Sequence, residues 1–313
     1  MTAGPQGHVS ICIVAYNNCD DILDCCRALS AQTYNHADIV ICENGGAASF
    51  ERLKAAVATL PDSPLPITVL LAPGNIGYAG GVNLCIAARP QSDYWWVLNP
   101  DTAPRAEALG AMVERLGRGD VEAVGSVLLL ADDRVQSLGG RWRPWLARCE
   151  SIGFGSAWPS AHDFAHVEAQ VNFISGASML ATRRFVEQAG LMREDYFLYC
   201  EEVEWALRAQ KRGLKLGVAP GSIVVHGQGG TTGSGAPVKV RPKLPIYLDE
   251  RNKMNMVHDT APWQLLVAGP AALGLLTMRY LARGAWRQWL YALDGWVAGI
   301  CNRRGQPGWL GRK

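Results

Sequence analysis

The sequence predicts an α/β fold: a mostly parallel central sheet with helices on both faces, followed by a helical C-terminal extension. Three observations predict it. Short β-branched runs alternate with helical segments from Val9 to Asp101, the strand ends carry polar and glycine-rich clusters, and the composition changes character near residue 240. Strand and helix in alternation imply parallel pairing with helices on the faces, and such sheets bind ligands beyond the C-terminal ends of their strands.

The elements follow in order. Val9–Ala15 reads as a buried strand stopped at Tyr16-Asn17-Asn18, and Asp20–Ser30 as a helix with acid in its first turn. Asp38–Cys42 is a second strand ending at Glu43-Asn44-Gly45-Gly46, Phe50–Thr59 a helix, and Ile67–Leu71 a third strand running into Pro73-Gly74-Asn75. Helix resumes at Val82–Ala88, after the glycine-rich NIGYAGG. Tyr94–Leu98 is a fourth strand ending at Asn99-Pro100-Asp101. A helix near Ala106–Leu116 follows, then AVGSVLLL, VQSLGG and a Trp/Pro-rich stretch with little periodicity. Val171–Ala181 is expected to be a strand with a Gly bend, Glu201–Arg212 a helix ended by Gly213, and Leu216–Val218 and Ile223–Val225 two short strands before His226 and a glycine-rich loop.

With 313 residues, 49% hydrophobic and 19% charged, the chain has ample core, which excludes a disordered, collagen-like or polytopic membrane protein. The net charge of +2 hides a split: residues 1–240 hold 19 basic against 24 acidic side chains, residues 241–313 hold 11 against 4. Nine cysteines without a CxxC pair, mostly in apolar runs, point to a reduced interior. MTAGPQGHVS has neither a basic nor an apolar leader region, so secretory targeting is not expected. There is no GxGxxG after the first strand and no P-loop, which disfavours a dinucleotide or P-loop site.

Over residues 8–260 the chain resembles the GT-A fold, inverting glycosyltransferases of family 2, and within them the Asn-Pro-Asp-Thr branch that includes bacterial rhamnosyltransferases. The segments are VSICIVAYNN, IVICENG, GNIGYAGGVN, WWVLNPDT, VQSLGG, FISGASMLATRR, YFLYCEEVEWALRAQKRG and VVHGQGG, in the family's order. The resemblance implies a Rossmann-like GT-A domain over 8–240, with a nucleotide-sugar half (about 8–120) and an acceptor half (about 121–240), and a separate tail over 241–313.

It also implies roles. Ala15, Asn17, Asn75, Gly77, Gly81 and Asn83 would line the nucleotide, and Glu43, where the family usually has aspartate, would accept the N3–H of uracil or thymine. The plain alternatives are a solvated strand-end acid and turn glycines. Asp101, beside Asn99, and His226 would hold Mg²⁺ or Mn²⁺ against the diphosphate. Glu202, with Glu201 in reserve, would be the general base on the acceptor hydroxyl, and Ser175 and Gly176 would line the floor. The implied substrates are a nucleotide-sugar donor, dTDP-L-rhamnose before UDP-hexoses, and a glycan acceptor, lipid-linked. A nucleotidyltransferase is disfavoured because AYNNCDD lacks a glycine-rich basic loop, and a non-catalytic sugar-nucleotide binder because the acidic positions are intact.

Thr260–Met278 is uncharged, and Arg279, Arg283 and Arg287 follow at four-residue spacing among Tyr280, Trp286 and Trp289. This pattern fits a helix lying on an anionic leaflet, here the cytoplasmic face of the inner membrane. A helical cap or homo-oligomer surface and a single span are the other readings. The basic excess is too diffuse for nucleic acid.

Overall fold

The computed structural model describes residues 7–61, 63–227 and 232–310. The start of the N-terminal segment read for targeting and part of the glycine-rich loop after His226 (Gln228–Thr231) lie outside the described residues.

The first half follows the expected alternation: β1 (Val9–Ala15), α1 (Cys19–Ser30), β2 (Ala37–Glu43), α2 (Ala47–Val57), β3 (Ile67–Leu71), α3 (Gly77–Ala88) and β4 (Tyr94–Leu98). The four strands are parallel, in the order β3-β2-β1-β4. Alternate residues divide between two cores: Cys12, Val14, Val40, Cys42 and Val97 pack on one face, and Ile11, Ile13, Ile39, Ile41, Trp96 and Leu98 on the other. Strands buried on both faces need such continuous apolar runs. Helix α3 starts at Gly77, ahead of the expected Val82, so the glycines belong to its first turns. A Cβ at Gly81 would press on Val14 of β1, so glycine sets how close α3 lies to the sheet.

The sheet then becomes mixed. The chain continues through β5 (Thr102–Pro104), α4 (Ala108–Leu116), β6 (Ala123–Leu129), β7 (Val135–Ser137), β8 (Gly140–Arg143), β9 (Arg148–Ser151), α5 (Phe164–Gln170), β10 (Ser178–Thr182), α6 (Arg183–Ala189), α7 (Glu201–Lys211) and β11 (Leu216–His226). Strand β10 runs antiparallel to both β4 and β6, β11 is parallel to β6, and β5 lies antiparallel on β11. The strand expected over Val171–Ala181 shortens to β10, because Ser175–Ala177 forms a turn closed by the Ser178 N–H on the Ser175 carbonyl, 3.2 Å. The two short strands expected near 216–225 are one, with a register shift between Ala219 and Ile223 at Pro220-Gly221.

The expected boundary at residue 240 is not a packing boundary. After it come α8 (Lys243–Thr260), α9 (Leu265–Leu281) and α10 (Trp286–Ile300). Met254, Met256 and Val257 of α8 belong to the same core as β1, β4 and α7. Helix α10 closes over α8 through Gly295 and Gly299, where a Cβ would collide with the carbonyl oxygens of Tyr247 and Arg251. Helix α9 lies further out, with Leu266, Val267 and Met278 exposed. Pro262–Leu281, 20 residues at mean hydropathy 1.2, is long and apolar enough to cross a bilayer by length and composition. It contains Pro270 and packs against α10.

Candidate active site

The C-terminal edge of the parallel strands builds the first wall. Glu43, the last residue of β2, is buried; its Oε1 accepts the N–H groups of Gly45 (2.6 Å) and Asn17 (3.3 Å), while its Oε2 is buried without a hydrogen-bond partner. Such an orphaned acceptor carries a desolvation cost that a ligand N–H would remove. Asn17 adopts φ +55° to make this turn, and the Ala15 carbonyl accepts the N–H of Asn44, 2.8 Å. The Asn44 amide donates to the Gly77 carbonyl (2.9 Å), and Asn75 Oδ1 accepts the Gly77 N–H (3.2 Å). Gly77 has φ +76°, and a Cβ there would collide with the Phe197 carbonyl oxygen. Asn83 differs from expectation. Its amide donates to the Met192 carbonyl and to Glu194 Oε1, both 2.9 Å, and accepts the Met192 N–H at 3.0 Å. It fastens α3 to the 192–194 loop and has no donor left for a nucleotide.

Asn99, Asp101 and His226 converge where β4 ends and β5 pairs with β11. Asp101 Oδ1 lies 3.2 Å from His226 Nε2, and the Asn99 amide nitrogen 3.3 Å from the same Nε2. On the far side of the ring, Nδ1 is 2.9 Å from Gln136 Oε1, an acceptor that orients the imidazole with Nε2 toward Asp101. The donor set, one hard oxygen and one imidazole, fits a divalent cation. Among the described residues no cluster of three His, Cys, Asp or Glu side chains accompanies it, so most of a cation's coordination would be left to phosphate and water oxygens.

The third element is the N-terminus of α7. Glu201 is buried, with Oε2 unpartnered, and burial beside Glu202 pushes its carboxyl well above the ordinary range. Burial, reinforced by Asp249, pushes Glu202 up to about 7, although backbone N–H groups, that of Gly176 among them, favour its charged form. Ser175 Oγ accepts the Ala177 N–H at 3.3 Å, shaping the turn that brings Gly176 against the Glu202 side chain. Tyr78 bridges the halves: its N–H donates to the Phe197 carbonyl (2.7 Å) and its hydroxyl to the Gly176 carbonyl (2.8 Å). Burial and the nearby charges of Glu201, Glu202 and Asp101 raise its pKa. The Asn99 N–H donates to the Ala177 carbonyl at 3.1 Å, so the 175–177 turn, packed on the Glu202 side chain, also ties down the segment that carries Asp101.

Comparison with known proteins gives the family and the fold. Residues 10–175 match the family described as Glycosyl transferase family 2. The chain belongs to that family. It is 24% identical over 310 residues to the low-salt glycan biosynthesis hexosyltransferase Agl10 of Haloferax volcanii, covering 96% of this chain and 93% of that one. It is 26% identical over 226 residues to the N-acetylglucosaminyl-diphospho-decaprenol L-rhamnosyltransferase of Mycobacterium tuberculosis, covering 66% of this chain and 71% of that one. Among solved structures it resembles GalNAc-T7 with UDP, GalNAc and Mn²⁺, at TM-score 0.61 and 13% identity. That match covers 80% of this chain, which spans about half, 48%, of the GalNAc-T7 chain. It also resembles the mannosyltransferase PcManGT from Pyrobaculum calidifontis in complex with GDP-Man and Mn²⁺, at TM-score 0.60 and 17% identity, covering 96% and 89% of the two chains. The fold is that of GT-A glycosyltransferases, and the protein is a family 2 glycosyltransferase.

Within this family 2 enzyme, sequence reasoning missed Gln136, Tyr78 and Asp249. Gln136 sits in the quoted VQSLGG and Tyr78 in NIGYAGG, so both were visible as motif members without a role. Asp249 lies on α8, beyond the expected domain boundary, and nothing local marks it.

Proposed function

We propose that the protein is an inverting transferase that moves a sugar from a nucleoside diphosphate donor to a hydroxyl of a lipid-linked glycan at the cytoplasmic face of the inner membrane. The donor favoured is dTDP-L-rhamnose, with UDP-hexoses next. One observation carries this reading: the turn at Gly176-Ala177 packs on the Glu202 side chain and accepts the Asn99 N–H at 3.1 Å, which joins the Glu202 carboxylate to the segment of the Asp101–His226 pair. Glu202 takes the proton of the acceptor hydroxyl as its oxygen bonds the anomeric carbon, and the bond to the diphosphate oxygen breaks on the opposite face. A carboxylate near 7 keeps a useful deprotonated fraction at neutral pH while remaining a competent base. Asp101 and His226 would hold Mg²⁺ or Mn²⁺, which neutralises charge on the leaving diphosphate. Glu43 would take the base N3–H, with Asn17, Asn75 and Gly77 forming the adjoining wall.

The membrane component rests on the outer helices. Trp263, Leu266, Val267, Met278, Trp286 and Leu290 are exposed, and Trp263 meets Trp145 edge-on at 5.0 Å, carrying the apolar surface onto the 144–146 turn. Arg279, Arg283 and Arg287 follow the apolar stretch, which suits anionic headgroups. The relative named for an N-acetylglucosaminyl-diphospho-decaprenol substrate supports a lipid-linked acceptor.

Thermal unfolding with Mn²⁺ and a panel of sugar nucleotides tests the donor. A donor at 100 times its Kd adds about 2.7 kcal/mol, so one thymidine or uridine sugar should raise Tm above the others. Equal response to purine and pyrimidine sugars would count against the reading.

A further inference from the structure

We propose that Asn252 is a positioning residue for the reaction: its side-chain amide holds the backbone of residues 196–199 in the conformation that aims Glu202 into the crevice. This rests on the assignment of Glu202 as the base. Ahead of α7, Phe197, Tyr199 and Cys200 all adopt left-handed backbone conformations, φ +69°, +73° and +68°. Each is costly for a residue with a Cβ, and such a segment persists only when its surroundings over-determine it. The three sit next to Glu201 and Glu202, so any relaxation would turn the start of α7.

The restraint comes from α8. Asn252 Nδ2 lies 2.9, 2.8 and 2.9 Å from the carbonyl oxygens of Tyr196, Leu198 and Tyr199, so its two protons are shared among three acceptors. Its Oδ1 accepts from Arg251 Nε at 2.9 Å, which fixes the amide's orientation, and Arg251 Nη2 donates to the Tyr196 carbonyl at 2.9 Å. Both side chains are buried, and α10 closes over them through Gly299. Asp259, about two turns further along α8, accepts from the Tyr196 hydroxyl (2.6 Å) and pairs with Arg193 (2.7 Å), fastening the segment's other end. A helix outside the matched family region thus sets the backbone from which the base projects.

The groups facing Glu202 are Glu201 on its own helix, Asp249 of α8 with Lys253 paired to it (2.5 Å), the Tyr78 phenol of α3 and the Cys200 thiol. Releasing the 196–199 backbone admits water among them. It should therefore lower the acid-side pKa in kcat/KM toward the ordinary carboxylate range.

The test is Asn252→Ala in the full chain, assayed beside Glu202→Gln. With donor KM preserved, kcat should fall roughly 10- to 100-fold and the acid limb of the pH profile should move down. A variant that only loosened the fold would lose Tm without moving that limb. If Asn252→Ala does not fold, Asn252→Gln, which displaces the amide by one methylene, should show the same split. Wild-type kcat and an unmoved limb in a folded variant, with Glu202→Gln inactive, would overturn the positioning role and leave the base assignment standing. An active Glu202→Gln would remove the base assignment, and this proposal with it.

Discussion

Asp101 Oδ1 stands 3.2 Å from His226 Nε2, and Gln136 Oε1 lies within hydrogen-bond distance, 2.9 Å, of the ring's other nitrogen. The chain reaches this arrangement from the turn between β4 and β5, the middle of β7 and the end of β11. Asp101→Asn and His226→Ala should each cost about 100-fold or more in Mn²⁺-supported turnover. Gln136→Ala should raise the Mn²⁺ concentration for half-activation by about 10- to 100-fold. Undiminished activity in excess chelator would remove all three from this duty.

The Glu202 carboxyl titrates near 7 and must be deprotonated to act, so kcat/KM should rise with pH and level off above about 7. The same shift sets a stability effect of opposite sense. The folded state raises this pKa above its unfolded value, so the group's contribution is fully favourable below about 4.5 and is lost as pH rises through 7. Glu202→Gln should therefore be more stable than wild type at pH 8, on the order of 1–2 kcal/mol after allowance for its partial exposure, and equal to it near pH 4.5. Urea unfolding at the two pH values measures the difference.

Gly77→Ala should destabilise the fold by about 2 kcal/mol or more, because a Cβ at φ +76° meets the Phe197 carbonyl, a backbone atom that cannot swing aside. Phe197 leads to Glu201, so turnover should fall along with the urea midpoint.

Glu43→Gln replaces one of the two acceptors at the end of β2 with a donor. The donor KM should rise about 10- to 100-fold with kcat nearly unchanged, and the preference for pyrimidine over purine nucleotides as competitive inhibitors should narrow.

Deleting residues 261–313 is a poor test of membrane binding, because it strips α10 from α8 and exposes the Asn252 clamp. Arg279→Glu/Arg283→Glu/Arg287→Glu leaves that packing in place. It should weaken sedimentation with vesicles containing anionic lipid by about 1 kcal/mol per charge and leave activity on a soluble acceptor unaltered. Unchanged sedimentation would point to a helical cap or a homo-oligomer surface.

The first half of the fold was legible because its strands are continuous β-branched runs whose alternate residues, such as Ile11 and Cys12, have a core on each side. Glu43, Asp101 and Glu202 were legible because strand ends and a helix N-terminus have local signatures. The role of Asn83 was not, since its partners Met192 and Glu194 lie far along the chain. Nor was α8: its buried Arg251, Asn252 and Asn255 give it a polar pattern that hides a core helix. The antiparallel β10 was missed as a short strand because a serine-glycine turn precedes it.

The anomeric configuration of the glycoside formed by the full-length enzyme, read by NMR and compared with that of the donor sugar, tests the central claim most directly. A product of inverted configuration, whose formation is lost in Glu202→Gln, is the result expected. Retained configuration, or turnover that survives Glu202→Gln, would contradict direct displacement with Glu202 as the base.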